Sequence, residues 1–178
     1  GLNAEFNGAV TELAALRQFA GEPKNFWPAF LAAAAKLAAA DIAVLLLGQP
    51  GKSPRWAKLG EWTSAPGPSS TRTPFTSRLE AIAERGLVAG SFVEANDSKA
   101  GTFTVAVRLK LSRVEDELIF AAQLKDFTEA AAGEVLVRLQ LAADVPAAYQ
   151  ANLAARQTRH DVEKFAAVLD LNVPVNQA

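Results

Sequence analysis

The sequence contains no cysteine. That excludes disulfides, thiolate metal sites, cysteine nucleophiles and thioether-linked chromophores. Histidine occurs once, at His160. A multi-histidine metal centre is therefore excluded, and a Ser-His-Asp triad would have to be built on that one residue. Methionine is absent even from the first position, so the chain reads as a piece of a longer protein, with Gly1 a tag remnant. Long hydrophobic runs are missing as well. Leu31–Ala35 and Ile42–Leu47 are too short to span a bilayer, and nothing in the first residues reads as a signal peptide. Nor is there an excess of positive charge. The net charge is -1, which argues against a nucleic-acid groove or an anionic membrane surface, since both need clustered Lys and Arg.

What is present suits one globular domain with attached helices. The chain has 178 residues, 50% hydrophobic and 21% charged, which is close to the globular norm and far from a disordered composition. Residues 4–19 predict a helix with Phe6, Val10, Leu13 and Leu16 on one face, closed by Gly21 and Pro23. An alanine-rich second helix is expected at 26–40, with Phe26, Phe30 and Leu37 as its apolar stripe. Ile42–Leu47 reads as a central strand followed by a turn, and Trp56–Thr63 as the next strand. Residues 65–74 predict a loop, Phe75–Arg85 a short helix stopped by Gly86, and Leu87–Val93 a strand.

Thr102–Leu111 and Glu117–Lys125 alternate with period two. A four-residue hairpin loop at Arg113–Asp116 would pair Leu111 with Leu118, Leu109 with Phe120, Val107 with Ala122 and Val105 with Leu124, keeping one face wholly apolar. The other face carries Thr104, Ala106 and Arg108 beside Ala121, Gln123 and Lys125. Asp126 or Thr128 caps a helix with Val135, Leu136, Leu139 and Ala142 as its stripe. Beyond Pro146 the chain is helical and more polar, and its apolar positions return at Val162, Phe165, Val168 and Leu169. The order is helix, helix, strand, strand, helix, three strands, long helix. It predicts an α+β fold, a central five- or six-stranded antiparallel sheet with N- and C-terminal helices packed on one face.

The helix-to-strand passage from Phe30 to Leu47, the hairpin at 102–125 and the switch Leu124-Lys125-Asp126-Phe127-Thr128-Glu129 into a long helix resemble the GAF family of sensory domains. The resemblance covers about 26–143, with 1–25 as an N-terminal helix and 144–178 as a C-terminal helix and linker to a downstream domain. It implies a cytoplasmic, regulatory, small-molecule-sensing module of a larger bacterial signalling or transport-associated protein. The alternative it implies is a ligand-free structural or dimerisation module of the same fold. Neither is an enzyme. The signature of cyclic-nucleotide-binding GAF domains has no counterpart here, and the cysteines of the bilin-binding and sulfoxide-reducing branches are absent. No cofactor is named by any motif.

Several constellations are candidates for a site. Arg72 and Arg78, with Ser69, Ser70, Thr71 and Thr73, surround a helix start and could hold an anion; a polar loop is the plainer account. Thr104, Arg108 and Gln123 lie on the polar sheet face, which in the family often closes over a ligand; a solvated strand surface is the plainer account. Trp56 and Trp62, six residues apart, are expected on one face with Lys58 and Gly60, either lining a pocket or covering a sheet edge. His160 is expected on a solvated helix face. Glu115, Asp116 and Glu117 are expected to serve a hairpin tip and solubility. A ligand is therefore expected at Trp62, Arg72, Thr104, Arg108 and Gln123, beneath 65–90, with a carboxylate or phosphate near Arg108 or Arg72. The late stripe at 162–169 predicts a homodimer through the terminal helices, or a fold-back of that segment onto 4–19.

Overall fold

The computed structural model describes residues 2–66, 71–113 and 115–172. The expectations for Ser69, Ser70, the Leu169 side chain and the tail after Asn172 fall outside the residues so described. The elements are α1 (Leu2–Leu16), α2 (Pro23–Ala38), β1 (Ile42–Gly48), β2 (Trp56–Thr63), α3 (Thr73–Thr76), α4 (Leu79–Ala89), β3 (Ser91–Asp97), β4 (Thr102–Leu109), β5 (Glu117–Leu124), α5 (Glu129–Leu139) and α6 (Val145–Asn172). The five strands form one sheet in the order β2-β1-β5-β4-β3, and every neighbouring pair is antiparallel. The predicted α+β architecture is the observed one.

One face of the sheet lies under the terminal helices. Val105, Val107, Leu109, Phe120 and Leu124 are buried there against Leu13, Phe30, Leu37 and Val135. Burial of this face is the main stabilising term, at about 25 cal/mol per Å² of apolar surface removed from water. At its edge Phe26 stacks flat on Tyr149, ring centroids 3.9 Å apart. The Tyr149 hydroxyl donates to the Gly21 carbonyl at 2.8 Å, which satisfies the polar end of a buried ring. Asn152 Nδ2 donates to Arg17 O at 2.6 Å, and Arg156 Nη2 to Phe19 O at 2.7 Å. The first half of α6 is thus fastened to the α1–α2 turn. The second half projects, with Val162, Phe165 and Val168 exposed. These three side chains do not fold back onto α1.

Four expectations are corrected. The β4–β5 register pairs Val105 with Ala122, Val107 with Phe120 and Leu109 with Leu118, two residues from the predicted one. A two-residue slip keeps every side chain on its face, so alternation cannot detect it. The deciding contact is distant in sequence: Lys110 N donates to Ala143 O at 2.8 Å, which draws the chain out of the ladder after Leu109. The helix expected at 75–85 instead divides into the single turn α3 and then α4, which runs through Gly86 to Ala89, so the next strand begins at Ser91. Gly86 packs against the sheet rather than ending a helix; a Cβ there would meet Ile119 Cγ2 at 3.4 Å.

Trp56 and Trp62 do not share a face. Leu45 pairs with Gly60 and Leu46 with Lys58, so Leu59 is an extra residue, a β-bulge that inverts the alternation. Trp62 packs with the terminal-helix core and Trp56 with the opposite one. Finally, Glu117 is no solvated tip residue. It opens β5 and accepts from Arg55 Nη2 at 2.6 Å, in a cluster where Trp56 Nε1 donates to Glu84 at 2.7 Å.

Candidate functional site

The second sheet face is covered by α3 and α4. Its core is apolar: Phe75 and Ile82 are each 1% exposed and meet Ile119, Ala121 and Ala106. Phe75 can reach the sheet because Pro74, at the second position of α3, starts a helical turn there. Among the described residues this face is packed rather than hollow. Its two buried polar side chains are Thr104 and Gln123. Each meets a protein partner: Asn96 Nδ2 donates to Thr104 Oγ1 at 2.7 Å, and Gln123 Nε2 donates to Thr71 O at 3.2 Å. Burial requires such partners, because an unpaired polar group in this core would be strongly destabilising.

Arg72 lies at the end of the same face. Its Nε and Nη2 donate to the two carboxylate oxygens of Asp41, both at 3.1 Å, and Nη2 also donates to Ala65 O at 2.8 Å. Lys125 Nζ lies 3.5 Å from Asp41 Oδ2. Burial by itself would raise the Asp41 carboxyl, but the Arg72 hydrogen bonds and charge, with Lys125, outweigh it and hold the group below its ordinary value. Asp41 in turn raises Arg72. Two-point pairing of guanidinium with carboxylate is the strong form of this contact. It pins the segment after β2 to the start of β1, and it leaves Arg72 already neutralised.

The five residues expected to share one site are not brought together. Arg72, Thr104 and Gln123 cluster at one end of the α3–α4 face, with their polar groups engaged by protein. Arg108 is exposed toward the other end of β4. Trp62, turned by the bulge, lies on the opposite face, where it does border open space.

That space is a cleft of ≈ 700 Å³ at the end of the sheet, between α1 and the α2–β1 junction. Glu5, Gly8, Ala9 and Glu12 line it from α1; their spacing places all four on one helical face. Lys36 and Ala39 line it from the end of α2, Asp41 from the start of β1, Trp62 from β2, and Lys125 and Asp126 from the end of β5. Ala39 (φ 51°) and Asp126 (φ 59°) are the two non-glycine residues with positive φ among those described. Ala39 N donates to Lys36 O and Ala40 N to Ala35 O, a left-handed helix stop that glycine usually fills. A second cleft of ≈ 570 Å³ shares Glu5, Lys36, Ala39 and Asp126 and continues toward Phe6, Leu37 and Phe127. Of the five residues expected at a site, Trp62 alone lines this cleft, and its other walls were not expected from the sequence. The one available signal was the Glu5/Gly8/Ala9/Glu12 spacing, two small residues between two carboxylates on one face of a helix.

No family model matches the chain, and no curated protein matches it in sequence. Solved structures do match in fold. An N-acylhomoserine-lactone-dependent LuxR-family transcription factor, CepR2 of Burkholderia cenocepacia, aligns with TM-score 0.51 at 14% identity, over 86% of this chain and 98% of that one. A GAF3 domain from Synechocystis in its photoproduct state aligns with TM-score 0.50 at 15% identity, over 75% and 97%. The VqsR ligand-binding domain of Pseudomonas aeruginosa aligns with TM-score 0.50 at 11% identity, over 82% and 96%. The chain has the GAF-like fold that these sensory and ligand-binding domains share.

Proposed function

We propose that this GAF-like domain is the small-molecule-sensing regulatory part of a larger bacterial signalling or transport-associated protein. It is cytoplasmic in this reading and is not an enzyme. The observation that carries the reading is the cleft at Trp62: concave, open, lined by an aromatic ring and several charged side chains, and of the volume that small ligands occupy. The fold neighbours lend support, because one depends on an acylhomoserine lactone and another is a ligand-binding domain. The non-enzymatic part rests on chemistry. The single histidine is exposed on α6, and the one hydroxyl lining the cleft, that of Ser64, donates at 3.4 Å to Asp41, a carboxylate that Arg72 and Lys125 hold below its ordinary value and so make a poor base.

The terminal helices are the output in this reading. α1 walls the cleft, the residue that follows it, Arg17, is held by Asp144 just before α6 and by Asn152 within α6, and α6 then leaves the body with Val162, Phe165 and Val168 exposed. Two copies pairing on that stripe would bring cleft, α1 and output helix into one connected unit. Sedimentation at several concentrations is expected to show a dimer that Phe165→Glu dissociates without loss of thermal stability; a strict monomer at tens of micromolar would reject the pairing.

The test of sensing is a thermal-shift screen of nucleotides, amino acids, amines and haem precursors. A true ligand at 100 times its dissociation constant adds about 2.7 kcal/mol. One observation favours a second reading, a ligand-free dimerisation module: Phe75 fills the space between the sheet and α4. A screen with no stabilising compound, together with a concentration-dependent dimer, would select that module.

A further inference from the structure

We infer that the Trp62 cleft selects an organic cation, a small amine or quaternary ammonium; this rests on the reading of the cleft as a ligand site. The first argument is charge. Among the described residues Glu5, Glu12 and Asp126 line the cleft and make no ion pair, whereas the Asp41 carboxylate is already held by Arg72 and Lys125. Four carboxylates, those of Glu5, Glu12, Asp41 and Asp126, thus stand against three cations, Lys36, Lys125 and the Arg72 that holds Asp41, which leaves a net negative charge at the cleft. The α2 carboxyl end opens into the same space at Lys36–Ala39 and adds partial negative charge. An anion would have to enter against this field, and a cation is drawn in by it.

The second argument is the ring. The indole of Trp62 is the best aromatic partner for a cation, which it attracts through the negative face of its π system. It borders the cleft together with the carboxylates rather than lying in a separate apolar site.

The third argument is room. Between Glu5 and Glu12 the α1 face carries only Gly8 and Ala9, and a Cβ at Gly8 would have nothing within 4 Å. No side chain of α1 therefore blocks the approach of a methylated or alkyl ammonium over Gly8, between the two carboxylates. An apolar tail on the cation could continue toward Phe6, Leu37 and Phe127 in the adjoining cleft.

The experiment compares two compounds of matched size and opposite charge, phenethylamine and phenylacetate, by calorimetry and protein-detected NMR on the whole chain. Phenethylamine is expected to bind and to shift the amide signals of Gly8, Ala39 and Asp126. Glu12→Gln and Trp62→Ala should each weaken it at least tenfold, whereas Trp62→Phe, which keeps a ring and guards against misfolding, should weaken it less than Trp62→Ala. Raising the salt concentration should weaken it further. Phenylacetate is expected to leave those signals in place. Trp62-dependent binding of phenylacetate in preference to the amine would overturn the cation assignment and leave the cleft a ligand site. Binding of neither probe at millimolar concentration would also overturn the cation assignment, and the metabolite screen would then judge the sensory reading separately.

Discussion

The two faces of the sheet solve the same packing problem with different means. Under the terminal helices lies a large core in which long side chains such as Leu13, Phe30, Leu37 and Phe120 pack among the alanines of α2, closed by the stacked rings of Phe26 and Tyr149. Under α3 and α4 lies a smaller one, in which small strand residues such as Ala106 and Ala121 let a short helix approach closely, and one inserted ring, Phe75, fills the gap. The larger face can spare a cleft at its margin without losing its centre. The smaller face cannot hold a cavity without giving up Phe75. This is the structural reason to look for a ligand at Trp62 rather than beneath α4.

The comparison breaks most visibly at the aromatic residues. Phe26→Ala should destabilise the chain by about 4 kcal/mol, and Phe75→Ala by about 3 kcal/mol, both read as a lower urea midpoint with an unchanged slope. If Phe75→Ala proved the costlier, the smaller core would be the anchor of the fold and the ranking of the faces would invert.

The ion pair at the sheet's end comes next. Arg72→Ala should destabilise by about 2 kcal/mol, less than for a wholly buried pair, because each side chain keeps 12% exposure and Lys125 remains. The pH dependence follows from the lowered Asp41 carboxyl. Its contribution is full above the ordinary value of 3.8 and is lost as pH falls through the lower folded value. Thermal unfolding followed between neutral and strongly acid pH should therefore show a loss below 3.8 that Asp41→Asn reduces. An identical acid profile in that variant would remove the pair from the account.

The larger face was legible in the sequence and the smaller one was not, for identifiable reasons. Phe103, Val105, Val107 and Leu109 alternate without interruption, and each is buried, so the pattern alone located their face. On the reverse side Thr104 and Gln123 read as solvated because their types are polar. Their burial depends on Asn96 and on the Thr71 carbonyl, partners that only the folded chain brings near. The bulge at Leu59 is marked in Trp56–Thr63 only by the neighbouring Gly60, a glycine inside a strand, and the even spacing of Trp56 and Trp62 taken alone gives the wrong face. The cleft is not legible in the sequence because its walls come from four separate segments, joined only by the folded chain.

The smallest expected effect concerns Gly86. Alanine there removes the helix-interior cost of glycine, and its Cβ would make ordinary contact with Ile119. Gly86→Ala should therefore stabilise by about 0.5 kcal/mol. A destabilisation would mean that α4 lies tighter on the sheet than the 3.4 Å contact indicates.

The central claim is that a ligand enters at Trp62 and not beneath α4. Amide NMR signals recorded during titration with whichever compound most stabilises the chain test it most directly. The account predicts that Gly8, Ala39, Trp62 and Asp126 shift together, while Ile82 and Ala83 of α4 and Ala106 of β4 stay in place. Shifts confined to Ile82, Ala83 and Ala106 would contradict it, and would mean that Phe75 moves aside to admit a ligand.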